Sequence, residues 1–417
     1  MAPADLLAIL LGLAVAIGCI NHLWIRLPPS IGMLLGSLAL SAVVVSSDHV
    51  FHLHIMRWFR ATFAAADLPH FFLDGVLALL LFAGSLHVDV RELNRRRWLI
   101  LLLATTSVVL STLLFGAGMW LTFTMIGAAV PLVWCFVLGA ILAPTDAVVV
   151  ENLLQQVPLP AELRAAIVGE SLFNDGAGVV LFLLALGVTQ GNTLVLGHGY
   201  VLAALLREII GGAALGLIAG WAATLLMRRV PDDGLQLLIS LALVLGSYRL
   251  ANVCETSGPI AVVSAGLCIG SASPRFGIGS VSRTALIGFW SLLDQLLNSM
   301  LFLLIGLQLL ALIIHPMELL PIAFAIPLAV VSRLISVAVP LLLTRENLRD
   351  KARDSLVLTW AGLRGGISIA LALTLPDSPW RVDLLVVTYA VVIFTVVVQG
   401  LSIKRFLRAA YATPKPA

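Results

Sequence analysis

Charged side chains are scarce in this sequence. Asp, Glu, Lys and Arg together make 11% of its 417 residues, while 60% are hydrophobic. Soluble domains carry roughly 25% charge, so this balance excludes a soluble fold and indicates a polytopic membrane protein. Other absences narrow the function. The start, MAPADLLAILL, has no basic n-region, so a cleaved signal peptide is not expected and the first apolar stretch stays as a span. The four cysteines, Cys19, Cys135, Cys254 and Cys268, lack metal or redox spacing and read as small apolar residues. No phosphate-binding loop is present, so neither ATP nor any other cofactor is implied, and a net charge of +3 makes no nucleic-acid surface. No histidine lies in a core span and Ser171 is outside a GxSxG frame, which argues against an intramembrane enzyme.

What the chain does hold is a succession of apolar windows long enough to cross a bilayer, about 20 residues of helix each. They fall at 5–26, 30–47, 69–88, 98–127, 131–155, 161–189, 199–227, 235–252, 257–272, 284–313, 317–343, 353–375 and 383–406. The expectation is an all-α membrane protein of about thirteen transmembrane helices, with 51–67 an interfacial amphipathic helix. Cytoplasmic loops carry the Lys and Arg excess. With the N-terminus outside, the inner loops and the cytoplasmic tail hold 18 of the 25 basic residues and the outer loops four, while Arg207, Arg333 and Arg364 lie within spans. That split supports the thirteen-span count and a multi-pass protein of the cell (inner) membrane. The tail, 407–417, is too short for a regulatory domain.

Two windows are interrupted near their middles. The fifth reads VWCFVLGAILAPTDAVVV, with Pro144, Thr145 and Asp146 at its centre; the twelfth reads LVLTWAGLRGGISIALAL, with Gly362, Arg364, Gly365 and Gly366. Proline removes a backbone hydrogen bond and glycine loosens a helix, and lipid satisfies no freed backbone group, so such breaks persist only around a protein-lined cavity. A six-helix repeat plus one linking helix puts the fifth and twelfth spans in corresponding positions. This spacing predicts an inverted-repeat secondary transporter with its site at the midplane: a first repeat over 1–190, a linking helix at 199–228 and a second repeat over 235–406.

An acid at a helix centre costs roughly 2.5 to 3.5 kcal/mol on insertion scales, so intramembrane carboxylates are functional candidates. Here they are Asp146, Glu170 and Asp175, the last two within GESLFNDG. On a helix Ser171 and Asp175 share one face and Glu170 and Asn174 another. Arg364 stays protonated and needs a carboxylate, and the expected pair is Glu170 with Arg364. Asp175 is then left without a fixed counter-charge, able to hold a proton or a cation. Thr145, Ser171 and unwound carbonyls beside Asp146 supply further oxygens suited to a small hard cation. Asp294 and Asn298 in the tenth window are possible pathway-lining residues, and Arg207 with Glu208 is expected to be an interhelical or snorkelling pair.

These motifs resemble the NhaP/NHE type of monovalent cation/proton antiporter over nearly the whole chain. APTDAVVV is similar to the family's TDPVAV segment, GESLFNDG to its ESLxND motif, AGLRGGISIALAL to its GLRG segment and LLNSMLFLLIGLQL to its polar tenth helix. The resemblance implies a homodimer in membrane lipid whose six-helix core is crossed by the two unwound helices. It implies Asp175 as the shared site for Na⁺ (or Li⁺ or K⁺) and H⁺, surrounded by Ser171, Thr145 and Asp146, and Glu170 bridged to Arg364. Asn174 before Asp175 is similar to the electroneutral branch, so one proton per cation is expected. The alternative on the same scaffold is a passive or pH-gated cation channel or uniporter, or K⁺/H⁺ exchange. Two positions depart from the family pattern: Ala83 stands where an acid is usual, and Asn252 precedes the Ser257–Gly258 pair, with Glu255 three residues later and Asp74 too far from position 83 to substitute.

Overall fold

Long apolar runs become helices here because a helix satisfies every backbone N–H and C=O within the segment, as a bilayer requires. The computed structural model describes residues 3–51, 75–88, 90–146, 150, 159–191, 200–230, 232–272, 280–308, 318–343 and 348–411. Among the described residues every regular element is helical. The first half comprises α1 (Pro3–Ile20), α2 (Pro29–Phe51), α3 (Leu77–Leu86), α4 (Val90–Arg95), α5 (Arg97–Leu102), α6 (Val108–Ile126), α7 (Leu132–Ile141) and α8 (Ala161–Thr189). Then come α9 (Tyr200–Arg229), α10 (Asp233–Val253), α11 (Gly258–Ala272), α12 (Ser280–Gln308) and α13 (Leu319–Leu342). The last are α14 (Leu348–Ala361), α15 (Gly366–Leu373), α16 (Arg381–Phe394) and α17 (Gly400–Ala410).

Nine helical stretches among the described residues are long and apolar enough to cross a membrane, and α14 with α15 forms a further span bent by 55°. The shorter apolar helices α3, α7 and α11 occupy the remaining windows. Wider π-type turns join α5 to α6 over Leu103–Ser107 and α16 to α17 over Thr395–Gln399.

The helices pack in two groups. In one, α6, α7, α8, α13, α14 and α16 surround the two breaks. In the other, α3, α9, α10, α11 and α12 pack together, with α2 laid along α12. Without a hydrophobic drive between helices in lipid, close backbone approach supplies the attraction. Gly216 and Gly220 on α9 provide it, since a Cβ at either would run into the carbonyls of Ala261 and Ala265 on α11. The centre of the second group is the fully buried Trp290, whose ring lies 4.6 Å from that of Phe82 and whose Nε1 donates to Ser240 Oγ at 3.1 Å.

Candidate functional site

The first break follows from Pro144. It has no N–H to continue the ladder of α7, so the helix ends at Ile141 and residues 143–146 run unwound. The second follows from three glycines within Gly362–Gly366: α14 stops at Ala361, Gly365 is extended at φ −124° and ψ −153°, and α15 starts at Gly366. The two unwound segments touch. The Asp146 amide donates to the Leu363 carbonyl at 2.8 Å, and the Arg364 amide donates to Thr395 Oγ1 at 3.1 Å from the π-turn after α16. Gly365 faces the Asp146 carboxyl so closely that no side chain fits there.

Helix α8 runs beside this crossing and presents its polar residues to it. Thr145 is the hub: its hydroxyl lies 2.9 Å from Ser171 Oγ and accepts from Asn174 Nδ2 at 2.7 Å, while its amide donates to Asn174 Oδ1 at 3.3 Å. A hydroxyl that accepts from Asn174 has its own proton left for Ser171. Thus Ser171 and Asn174, three apart on the helix, meet the same threonine. Asp175 is 4% exposed, its Oδ1 has no hydrogen-bond partner among the described residues, and the Asp146 carboxylate acts on it electrostatically. A buried acceptor without a donor is costly, and a proton or a cation is what would complete it. Gly178 leaves room for Pro144 to lie against α8, which brings the break to Asp175's helix.

The cationic partners differ from expectation. Glu170 pairs with Arg333 on α13, Nη1 to Oε1 at 2.5 Å, with side chains 1% and 4% exposed. It does not pair with Arg364. Arg364 instead donates from Nη1 to the carbonyls of Ala143 and of Pro144, the latter at 2.9 Å. The physical reason is the break itself: the unwound run beyond Ile141 leaves the carbonyls of Ala143 and Pro144 outside any helical ladder in a place where lipid offers no donor, and a guanidinium supplies one. Arg364 still feels both Glu170 and Arg333 electrostatically. Arg333 sits against Gly362, where a Cβ would come within 2.7 Å of its Nε. As an intramembrane arginine it is visible in the sequence, but its role is not.

Other expected residues are placed as follows. Asn298 on α12 is buried and donates to both the backbone and side-chain oxygens of Asp294, at 3.0 and 3.1 Å. Ala83 is buried in the apolar cluster with Phe82 and Trp290. Arg207 forms its ion pair with Glu255 at 2.7 Å, while its neighbour Glu208 feels both charges electrostatically. Asp74 and most of the expected interfacial helix lie outside the described residues. Among the described residues no group of three or more His, Cys, Asp or Glu side chains is arranged to hold a metal ion.

The sequence pattern of the sodium/hydrogen exchanger transmembrane family matches residues 8–409. The chain is 36% identical to the Na⁺/H⁺ antiporter NhaP of Pseudomonas aeruginosa, over 98% of this chain and 97% of that protein. It is 30% identical to the Na⁺/H⁺ antiporter NhaH of Halobacillus dabanensis, covering 96% of each. In fold it is similar to the sodium proton antiporter MjNhaP1 of Methanocaldococcus jannaschii, with a TM-score of 0.71 at 19% identity over 97% of each chain.

Proposed function

We propose that this chain, which belongs to the sodium/hydrogen exchanger transmembrane family, exchanges a monovalent cation, sodium first among them, for a proton across the inner membrane by alternating access. The observation that carries this reading is Asp175, a buried carboxyl with an unpartnered Oδ1 beside the crossing of two unwound helices. Proton and cation compete for it: a cation displaces the proton on one side, the loaded site is carried past the barrier, and a proton displaces the cation on the other. Coupling follows because an empty, charged carboxylate crosses a low-dielectric barrier poorly. Ser171, Thr145 and Asp146 are the further oxygens, of which Thr145 is held by Asn174.

Asn174 supports a one-for-one stoichiometry. Its amide nitrogen donates to the Thr145 hydroxyl, which an ionised carboxylate at that position could not do, so Asp175 alone on this face of α8 takes up protons. Glu170 and Arg364 serve as supports, one for α13 and one for the broken end of α7. The thirteen helices cross as two inverted repeats, 1–190 and 235–406, around a linking helix at 199–228, with the N-terminus outside, the C-terminus cytoplasmic, and two copies forming a homodimer.

The test is proton movement in proteoliposomes driven by Na⁺, Li⁺ or K⁺ added separately, with membrane potential clamped. Wild type is expected to exchange and Asp175→Asn, folded, to be silent. Exchange that persists in the variant, or cation flux needing no opposing proton, would overturn the mechanism.

A further inference from the structure

Arginines line the mouth of a large cavity among the described residues. This cavity, about 1200 Å³, opens between α4 and α5 on one side and α9 and α11 on the other, and reaches inward to Phe173 and Ala177 on α8. Phe173 and Ala177 flank Asp175 in sequence at i−2 and i+2. Its interior is largely apolar, with Ile209 and Ile260 among its walls, whereas its rim carries Arg91, Asn94 and Arg97, and among the described lining residues none is Asp or Glu. A rim of positive charge repels a cation. Unless something anionic sits on it, this cavity is a poor approach to a cation site.

The neighbouring arginines are accounted for within the protein. Arg95 pairs with Glu92 at 3.4 Å and Arg96 with Glu162 at 2.6 Å. Arg97 differs: it donates to Asn94 Oδ1 at 3.3 Å and its guanidinium stands 5.7 Å from the Trp98 ring, while no carboxylate among the described residues pairs with it. Trp98 is 68% exposed and Leu101, one turn further, 47%. An exposed tryptophan beside arginines, followed by exposed aliphatic surface, is the order met on passing from headgroups into acyl chains.

We infer that the cavity is a docking site for an anionic phospholipid, its phosphate on Arg97 beside Asn94, and an acyl chain laid into the apolar interior. The volume exceeds what a drug-sized ligand needs and suits a hydrocarbon chain. Basic pockets between transmembrane helices on the cytoplasmic side hold such headgroups, and the orientation proposed above puts this rim there. The bound phosphate reverses the sign of the mouth, and with it the repulsion of cations; that consequence rests on the exchange reading, whereas the binding does not.

Binding is therefore measured directly. The full chain, purified in detergent, is offered phosphatidylglycerol or phosphatidylcholine, with occupancy read by native mass spectrometry and thermal unfolding followed in parallel. Phosphatidylglycerol is expected to bind and to raise the unfolding midpoint, and phosphatidylcholine to do neither. Arg97→Gln should lower occupancy about fivefold, the factor for about 1 kcal/mol per basic residue at an anionic surface, while Arg97→Lys retains most of it and Arg95→Gln all of it. Equal binding of the two lipids, or an equal loss in Arg95→Gln, overturns the site. Inorganic phosphate alone raising the midpoint as far as phosphatidylglycerol overturns the lipid assignment. Failure of ion exchange in the same preparation bears on the transport reading and leaves this result untouched.

Discussion

Replacing Glu170 by Gln removes the carboxylate of a buried ion pair with Arg333, at 2.5 Å, beside Arg364, which feels them both. Removing one partner of a buried ion pair costs about 3–5 kcal/mol, because the remaining charge has lost both water and counter-charge. Glu170→Gln belongs at the upper end of that range, since it leaves two guanidinium groups that repel each other. Arg333→Met belongs at the lower end, because Glu170 keeps Arg364 within electrostatic reach. The double variant is expected to cost less than the sum of the two single ones by more than about 1 kcal/mol. Denaturant unfolding in mixed micelles of the wild type, both single variants and the double variant measures this coupling. Additivity within about 0.5 kcal/mol would refute the pairing. So would a cycle in which Glu170 couples to Arg364 while Arg333 contributes nothing.

Two further perturbations test the crossing. In Gly365→Ala a new Cβ runs into the Asp146 carboxyl, so cation-driven proton flux should fall steeply with a stability loss of about 1–3 kcal/mol; wild-type flux would show that Asp146 tolerates displacement and is no part of the site. Thr145→Val leaves Asn174 and Ser171 without their shared hydroxyl, at a cost of about 1–3 kcal/mol, whereas Thr145→Ser keeps it. Equal midpoints and equal cation affinities for the two Thr145 variants would remove the threonine from its central role.

Much of this architecture is legible in the residues because membranes punish irregularity. Apolar windows have to become helices, and the breaks at Pro144 and at Gly362–Gly366 have to be protein-lined, so residue types alone mark where they fall. The sequence reading groups Thr145 with Ser171 but puts Asn174 on the face of Glu170, whereas Asn174 meets the same threonine, because residues three apart on a helix are neighbours. Pairings across helices are less legible. Helical periodicity tells which residues share a face, but it does not tell which face opposes which, and two buried arginines compete for Glu170. The choice falls to Arg333 because the orphan carbonyls of Ala143 and Pro144 hold Arg364. Thr395 is invisible for a different reason: its support of the Arg364 amide depends on a π-turn inside VVIFTVVVQG, a run whose composition differs in no way from an ordinary span.

The contacts that tie 143–146 to 362–365 also bear on how the chain tolerates recombination. The Asp146 amide bonds to Leu363, and Arg364 bonds to Ala143 and Pro144, so each half of the polypeptide completes the backbone of the other. Chimaeras joined within α9 from two family members inherit one side of this clasp from each parent. They should yield folded protein only when both parents bring matching partners at these positions, whatever the similarity of their remaining surfaces. The stretch least free to vary independently is thus a pair of short strings more than two hundred residues apart, and yields from such a chimaera series measure how tightly each holds the other to its past.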